Sequence, residues 1–112
     1  MKIYIFVDDV RNPIDIYATT KPEEYIIART YNEAIALLNT YKKEEIYISL
    51  DHDLGEEKTG YDIAKYIVEY QFPHLCFFVH SANPVGRNNI NQLLLHYGYK
   101  ERCYWFLQKF SI

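Results

Sequence analysis

Three short apolar runs in this chain each stop abruptly at a polar cluster. The runs are Ile3-Tyr4-Ile5-Phe6-Val7, Ile46-Tyr47-Ile48-Ser49-Leu50 and Cys76-Phe77-Phe78-Val79. The clusters that follow are Asp8-Asp9-Val10-Arg11, Asp51-His52-Asp53-Leu54-Gly55 and His80-Ser81-Ala82-Asn83-Pro84. Short β-branched and aromatic runs that are apolar on both faces suit strands inside a parallel sheet. Helical patterns separate them, and alternating strand and helix means an α/β sandwich with right-handed crossovers. The three clusters then meet at the carboxyl edge of the sheet, where open α/β sheets bind ligands.

The remaining elements follow from punctuation and periodicity. Tyr25-Ile26-Ile27-Ala28 reads as a further strand. Asn12-Pro13 and Lys21-Pro22 break up the stretch before it, so one helical turn around Ile14, Ile16 and Tyr17 is expected rather than a full crossover helix. Thr30 and Glu33 have capping-box spacing and open a helix to about Tyr41, with Ala34, Leu37, Leu38 and Tyr41 inward. Thr59 and Asp62 open the next in the same way. Its inner face is Gly60, Ile63, Ala64, Ile67 and Val68, and Pro73 closes it. A third helix starts near Pro84, packs through Ile90, Leu93, Leu94 and Tyr97, and stops at Gly98. A last edge strand is expected over Cys103–Leu107.

The 112 residues read as one domain, long enough to bury roughly two-thirds of the unfolded surface. A net charge of −3 without a basic run argues against duplex nucleic acid as partner. The two cysteines, Cys76 and Cys103, are too far apart in sequence to suggest a disulfide framework or zinc site. The first apolar run is too short for a membrane span or signal peptide. The expectation is a cytoplasmic protein with reduced thiols.

The clusters carry the chemistry. Asp8, Asp9 and Asp51 are hard oxygen donors suited to a divalent cation such as Mg²⁺ or Mn²⁺. A shared cation would relieve the repulsion between them. Three consecutive ionisable residues, Asp51-His52-Asp53, at the end of an apolar strand are costly unless paired or metal-bound. His52 and His80 can act as acid and base near neutral pH, with Asp53 beside them. Ser81 and Asn83 can hydrogen-bond a phosphoryl oxygen. Arg87, at a helix start, can clamp a phosphate, and Arg11 is a second clamp or a countercharge for the carboxylates. The bland alternatives are turn-capping acids at 8–9, a solvated loop at 51–55 and a packed histidine at 80.

With these residues in view, the chain resembles a response-regulator receiver domain. Asp8-Asp9 look like the receiver's acidic pair, Asp51 like its phosphoacceptor, Gly60 like its helix-opening glycine, and Ser81-Ala82 like its small hydroxyl position. In receivers such residues surround one Mg²⁺. The receiver's Lys-Pro motif is only faintly echoed by Lys109-Phe110, and His52 and His80 are not ordinary receiver features. Leu50–Gly55, Thr59–Asp62 and His80–Arg87 are more specific. They resemble the cyclic-phosphate processing receiver-like branch of that fold over roughly residues 2–95. The resemblance implies a three-layer flavodoxin-like sandwich with about five parallel strands in the order 2-1-3-4-5; as a departure from the receiver pattern, the C-terminal helix is expected to be reduced or absent, since little of the sequence follows the last strand. The resemblance also implies phosphoester chemistry on a small nucleotide or cyclic phosphate, metal-assisted if enzymatic. The alternative is a non-catalytic module that binds a metal or phosphorylated ligand and signals to a partner.

Overall fold

A computed structural model describes residues 1–16 and 24–101. Five parallel strands, β1 (Lys2–Val7), β2 (Tyr25–Ala28), β3 (Glu45–Leu50), β4 (Leu75–Val79) and β5 (Lys100–Glu101), form one sheet in the order β2-β1-β3-β4-β5. Helices flank it: α1 (Pro13–Ile16), α2 (Tyr31–Thr40), α3 (Gly60–Tyr70) and α4 (Pro84–His96). This is the receiver-like, flavodoxin-like α/β arrangement, with the expected strand order. The stretch after β1 forms a single helical turn, as its prolines suggested. The fifth strand starts at Lys100, ahead of the run in which a strand was expected. That run, Cys103–Leu107, lies outside the described residues, as do Lys109 and any C-terminal helix.

Strand alternation divides the sheet into two faces. Ile3, Ile5 and Val7, Ile46, Ile48 and Leu50, and Leu75, Phe77 and Val79 join the main core with Leu38, Ile63, Ile67, Ile90 and Leu94 from the helices. The other face carries buried Phe6 and Tyr25, with Tyr4, Ile16, Tyr47 and Phe78 packed against them. Tyr4 and Tyr47 stack there at 5.1 Å between centroids. Tyr4, Tyr25 and Tyr47 line this side of the sheet, while Tyr31, Tyr41, Tyr61, Tyr66 and Tyr99 edge the main core, where a ring with a polar tip suits half-burial.

The helix starts are built by side chains, with one departure from expectation. Thr59 and Asp62 make the full reciprocal cap of α3, Asp62 Oδ2 accepting from the Thr59 N–H at 2.8 Å. At α2, Thr30 accepts from the Glu33 N–H at 3.1 Å, but Glu33 turns back to the Arg29 N–H, one residue before the cap. The capping box expected there is thus half formed. Ile90 and Leu94 of α4 are buried as expected, whereas Tyr97, at the C-cap, faces solvent.

Gly60 holds α3 against the end of β3. Its N–H donates to the His52 carbonyl at 2.8 Å, and a Cβ built on it would collide with the Asp51 carbonyl oxygen. The obstacle is backbone, so no rotamer relieves it. Gly60→Ala should destabilise the fold by about 1–3 kcal/mol through overpacking, read as a lower midpoint in urea unfolding. An unchanged midpoint would mean that α3 stands further from the strand end than described.

Candidate functional site at the carboxyl edge of the sheet

The sheet ladder itself sets out the site. Val7, Leu50 and Val79 are level across β1, β3 and β4. The next residue in each strand, Asp8, Asp51 and His80, continues the pairing by one step. The N–H of Asp8 donates to Ala28, that of Asp51 to Val7 and that of His80 to Leu50, at 3.1, 2.9 and 2.9 Å. Adjacent strands bring these three side chains side by side. All three are buried, and one ligand atom from each lies within 4.8 Å of the others, close enough to hold a metal ion. The expected meeting of the three clusters in one place is borne out.

Asp8 is the most completely enclosed group. Its Oδ1 accepts from the backbone N–H groups of Val10 at 3.0 Å and Arg11 at 2.8 Å. Its Oδ2 accepts from Arg11 Nε at 2.9 Å and faces His80 Nε2 at 3.1 Å. Burial alone would push its pKa up. The Arg11 and Val10 amides, His80 and the Arg11 charge outweigh that and hold it below the usual carboxylate value. The loop that supplies those amides is pinned by Arg29, which donates to the carbonyls of Asp8 at 3.2 Å and Arg11 at 2.6 Å and to the Asn12 side chain.

His80 is sealed behind Asp8. Its ring stacks on Phe6 at 4.4 Å with 3° between the planes. Burial, with Arg11 adding to it, pushes its pKa down to about 4 against the pull of Asp8. The ring is therefore neutral at pH 7. An ionised Asp8 can only accept, so Nε2 carries the proton. Nδ1 then accepts from the hydroxyl of buried Ser49, 2.7 Å away. Asp8, His80 and Ser49 thus form a closed buried chain in which both ring nitrogens are engaged.

Asp51 differs from Asp8. Burial and the neighbouring Asp8 charge raise its pKa, partly offset by the His52 N–H, Arg11 and Ser81. The same Arg11 that meets Asp8 reaches Asp51 Oδ2 at 3.5 Å, so one guanidinium spans both carboxylates. Of the roles read for Arg11 from sequence, the structure shows the countercharge.

A second pair stands at the mouth. His52 Nδ1 lies 3.0 Å from Asp53 Oδ1, and that contact holds Asp53 below its ordinary pKa. Asp53 Oδ2 also accepts from Asn83 Nδ2 at 3.4 Å. The His52 ring lies over Gly86 in the first turn of α4, where any Cβ would collide with it. Asn83 caps α4 by accepting from the Gly86 N–H at 3.0 Å, and buried Ser81 accepts from the Asn83 N–H at 3.0 Å. Arg87 is exposed in that first turn. Asp9 is half-buried beside Gly55, a glycine at φ +67°, and is not among the three grouped residues; the third is His80, whose ring nitrogens are already engaged by Asp8 and Ser49.

Ser49, Arg29 and Gly86 were not singled out from sequence. Ser49 did leave a signal, as the one small polar residue inside an otherwise apolar and aromatic run. Arg29 and Gly86 acquire meaning only from tertiary placement. A cavity of ≈ 960 Å³ lies elsewhere, at the opposite edge among Glu44, Phe72, His74 and Tyr99. It lacks the convergent buried titratable groups of the carboxyl edge, so volume is a poorer guide here than chemistry. Among the described residues no helix is long and apolar enough to cross a membrane.

Residues 3–96 match the family described as Cyclic-phosphate processing Receiver domain. No curated protein and no solved structure matches the chain.

The sealed histidine gives a pH signature. His80 has a pKa of about 4 when folded and 6.5 as its ordinary value. Between those values the unfolded chain binds a proton that the folded chain does not, so stability falls as pH drops from 6.5 to 4. The loss is up to about 3 kcal/mol. Asp8, with its pKa lowered, adds a loss that begins below the usual carboxylate range; Asp51, raised, works in the opposite sense. Chemical denaturation across this range should show the slope in the wild type and a much flatter one in His80→Gln. An equal slope in both would assign the effect to other groups.

Proposed function

The chain belongs to the cyclic-phosphate processing receiver family, and from that premise we propose that it hydrolyses a phosphoester of a small nucleotide, opening a cyclic phosphate at the carboxyl edge. The observation that carries this reading is the His52–Asp53 pair, oriented at the mouth of a crevice whose floor holds paired carboxylates and a guanidinium. Asp53 accepts from His52 Nδ1–H, which leaves Nε2 as the nitrogen that can take a proton. Water forms a new P–O bond while one ring P–O bond breaks. His52 Nε2 takes the proton of the water and returns one to the departing ring oxygen, so a cyclic diester becomes a monoester.

The other residues have supporting roles in this reading. Arg87, in the first turn of α4, offers a guanidinium to the phosphoryl oxygens beside helix N–H groups. Asn83 and Ser81 hold Asp53 and the start of α4 in place. His80 acts as a positioning residue, since it keeps Asp8 aimed and ionised from inside the sheet. The oxygens of Asp8 and Asp51 suit Mg²⁺ or Mn²⁺, with Asp9 at the rim. When bound, such a cation would neutralise phosphoryl charge and orient water. A second reading, a non-catalytic module that binds a phosphorylated ligand, is favoured by one observation: only one of the two site histidines stands near the mouth.

Turnover separates the two. Cyclic nucleotides and phosphate monoesters, incubated with and without Mg²⁺ or Mn²⁺, should include a substrate. On that substrate His52→Ala should lose about 10²–10⁴-fold in kcat with its melting temperature kept. Absence of turnover across the panel would leave the binding module as the reading.

The packing of His52 on Gly86 extends the test. Gly86→Ala should fold, because the atoms in the way belong to a side chain that can swing aside. It should nevertheless approach the activity of His52→Ala, since the imidazole is evicted from its place beside Asp53. Wild-type kcat in Gly86→Ala would show that the orientation of His52 does not matter.

A further inference from the structure

Arg11 lies where a cation shared by the two buried carboxylates would lie. Its Nε is 2.9 Å from Asp8 Oδ2, and a terminal nitrogen is 3.5 Å from Asp51 Oδ2. These two carboxylates belong to the group whose ligand atoms converge within 4.8 Å. A divalent ion drawn to them would meet the guanidinium on the same oxygens. Asp8 has little to spare, because two amides hold Oδ1 and Arg11 and His80 hold Oδ2. The amides are backbone, and His80 is locked between Phe6, Ser49 and Asp8. Arg11 is the donor that can leave without disturbing the fold: its side chain is 34% exposed, and Arg29 fixes its carbonyl, not its guanidinium.

Charge points the same way. Two carboxylates and one guanidinium sum to −1. Adding a divalent ion while Arg11 stays gives +1 in a partly dry cleft. Exchanging one for the other gives zero, which low dielectric favours.

We propose that Arg11 and a divalent cation are mutually exclusive occupants of the Asp8–Asp51 cleft, and that cation binding turns the guanidinium out to the crevice mouth, where it anchors a phosphoryl group. The exclusion stands on the geometry alone. The anchoring step rests on the phosphoester reading.

The test needs no substrate. Mg²⁺ is titrated calorimetrically into wild type and Arg11→Gln at fixed pH, and the Arg11 Nε–H resonance of the wild type is followed by NMR. Removing the competitor should tighten Mg²⁺ binding by about tenfold or more. Saturating Mg²⁺ should shift the wild-type Nε–H and speed its exchange with water. Equal or weaker binding by Arg11→Gln, no binding by either protein, or an unmoved Nε–H in metal-bound wild type each overturns the exclusion. Should Arg11→Gln fail to fold with its carboxylates unpaired, the wild-type resonance decides alone. Inorganic phosphate then tests the anchor: Mg²⁺ should strengthen phosphate binding more in wild type than in Arg11→Gln. Equal gains would remove the anchoring step and leave the exclusion standing. None of these readouts depends on hydrolysis, so their failure is distinct from failure of the proposed activity.

Discussion

A carboxylate with no contact to solvent has to be answered on every side, and Asp8 is. Two loop amides, a guanidinium and an imidazole surround it. Each donor makes its own demand. The amides require the 9–12 loop to curl back over the strand end, and Arg29 ties that curl down. The imidazole requires a flat partner and a hydroxyl, which Phe6 and Ser49 supply from the neighbouring positions of β1 and β3. Leaving such a group unpaired would cost several kcal/mol in effective terms. Much of the local arrangement can be read as the set of conditions under which Asp8 remains ionised.

The same constraint divides the polar residues into two sets with different duties. Asp8, His80 and Ser49 face inward and are linked to one another, the loop amides and Arg11 completing the partners of Asp8. His52, Asp53 and Arg87 stand at the mouth, where Asp53 and Arg87 are exposed. Asp51 and Arg11 connect the sets. Chemistry that needs a free nitrogen belongs to the outer set, and the inner set governs charge and aim.

The sheet was legible from sequence because its signal is strong: apolar runs of strand length, each cut off by charge, fixed both the strands and the edge where their ends meet. The grouping of Asp8, Asp51 and His80 followed from that register. Periodicity also gave the inner faces of α3 and α4, apart from Tyr97, which the end of the helix turned outward. Duties within the group were less legible. From sequence His52 and His80 looked equivalent, since both follow a strand. What separates them is depth, and depth depends on Phe6 and Ser49, which lie far from His80 in sequence. Gly86 was similarly opaque, because a glycine at a helix start has several ordinary explanations until α4 is seen against the 51–55 loop. Glu33 reaches past its cap to the Arg29 amide, an alternative partner that spacing alone does not reveal.

The strand-end amides of Asp8, Asp51 and His80 are each rungs of the parallel ladder. The floor of the site is therefore not a loop laid on the scaffold but the scaffold's last course. It cannot loosen without the sheet loosening, and it cannot drift in sequence without disturbing the register beneath it. The 52–59 loop above it carries no rung of that ladder and can change length and side chains over an unaltered base, whereas the 9–12 loop, whose amides hold Asp8, cannot. A lineage built on this plan would be expected to vary its ligands from the 52–59 loop while keeping the electrostatics of the floor fixed.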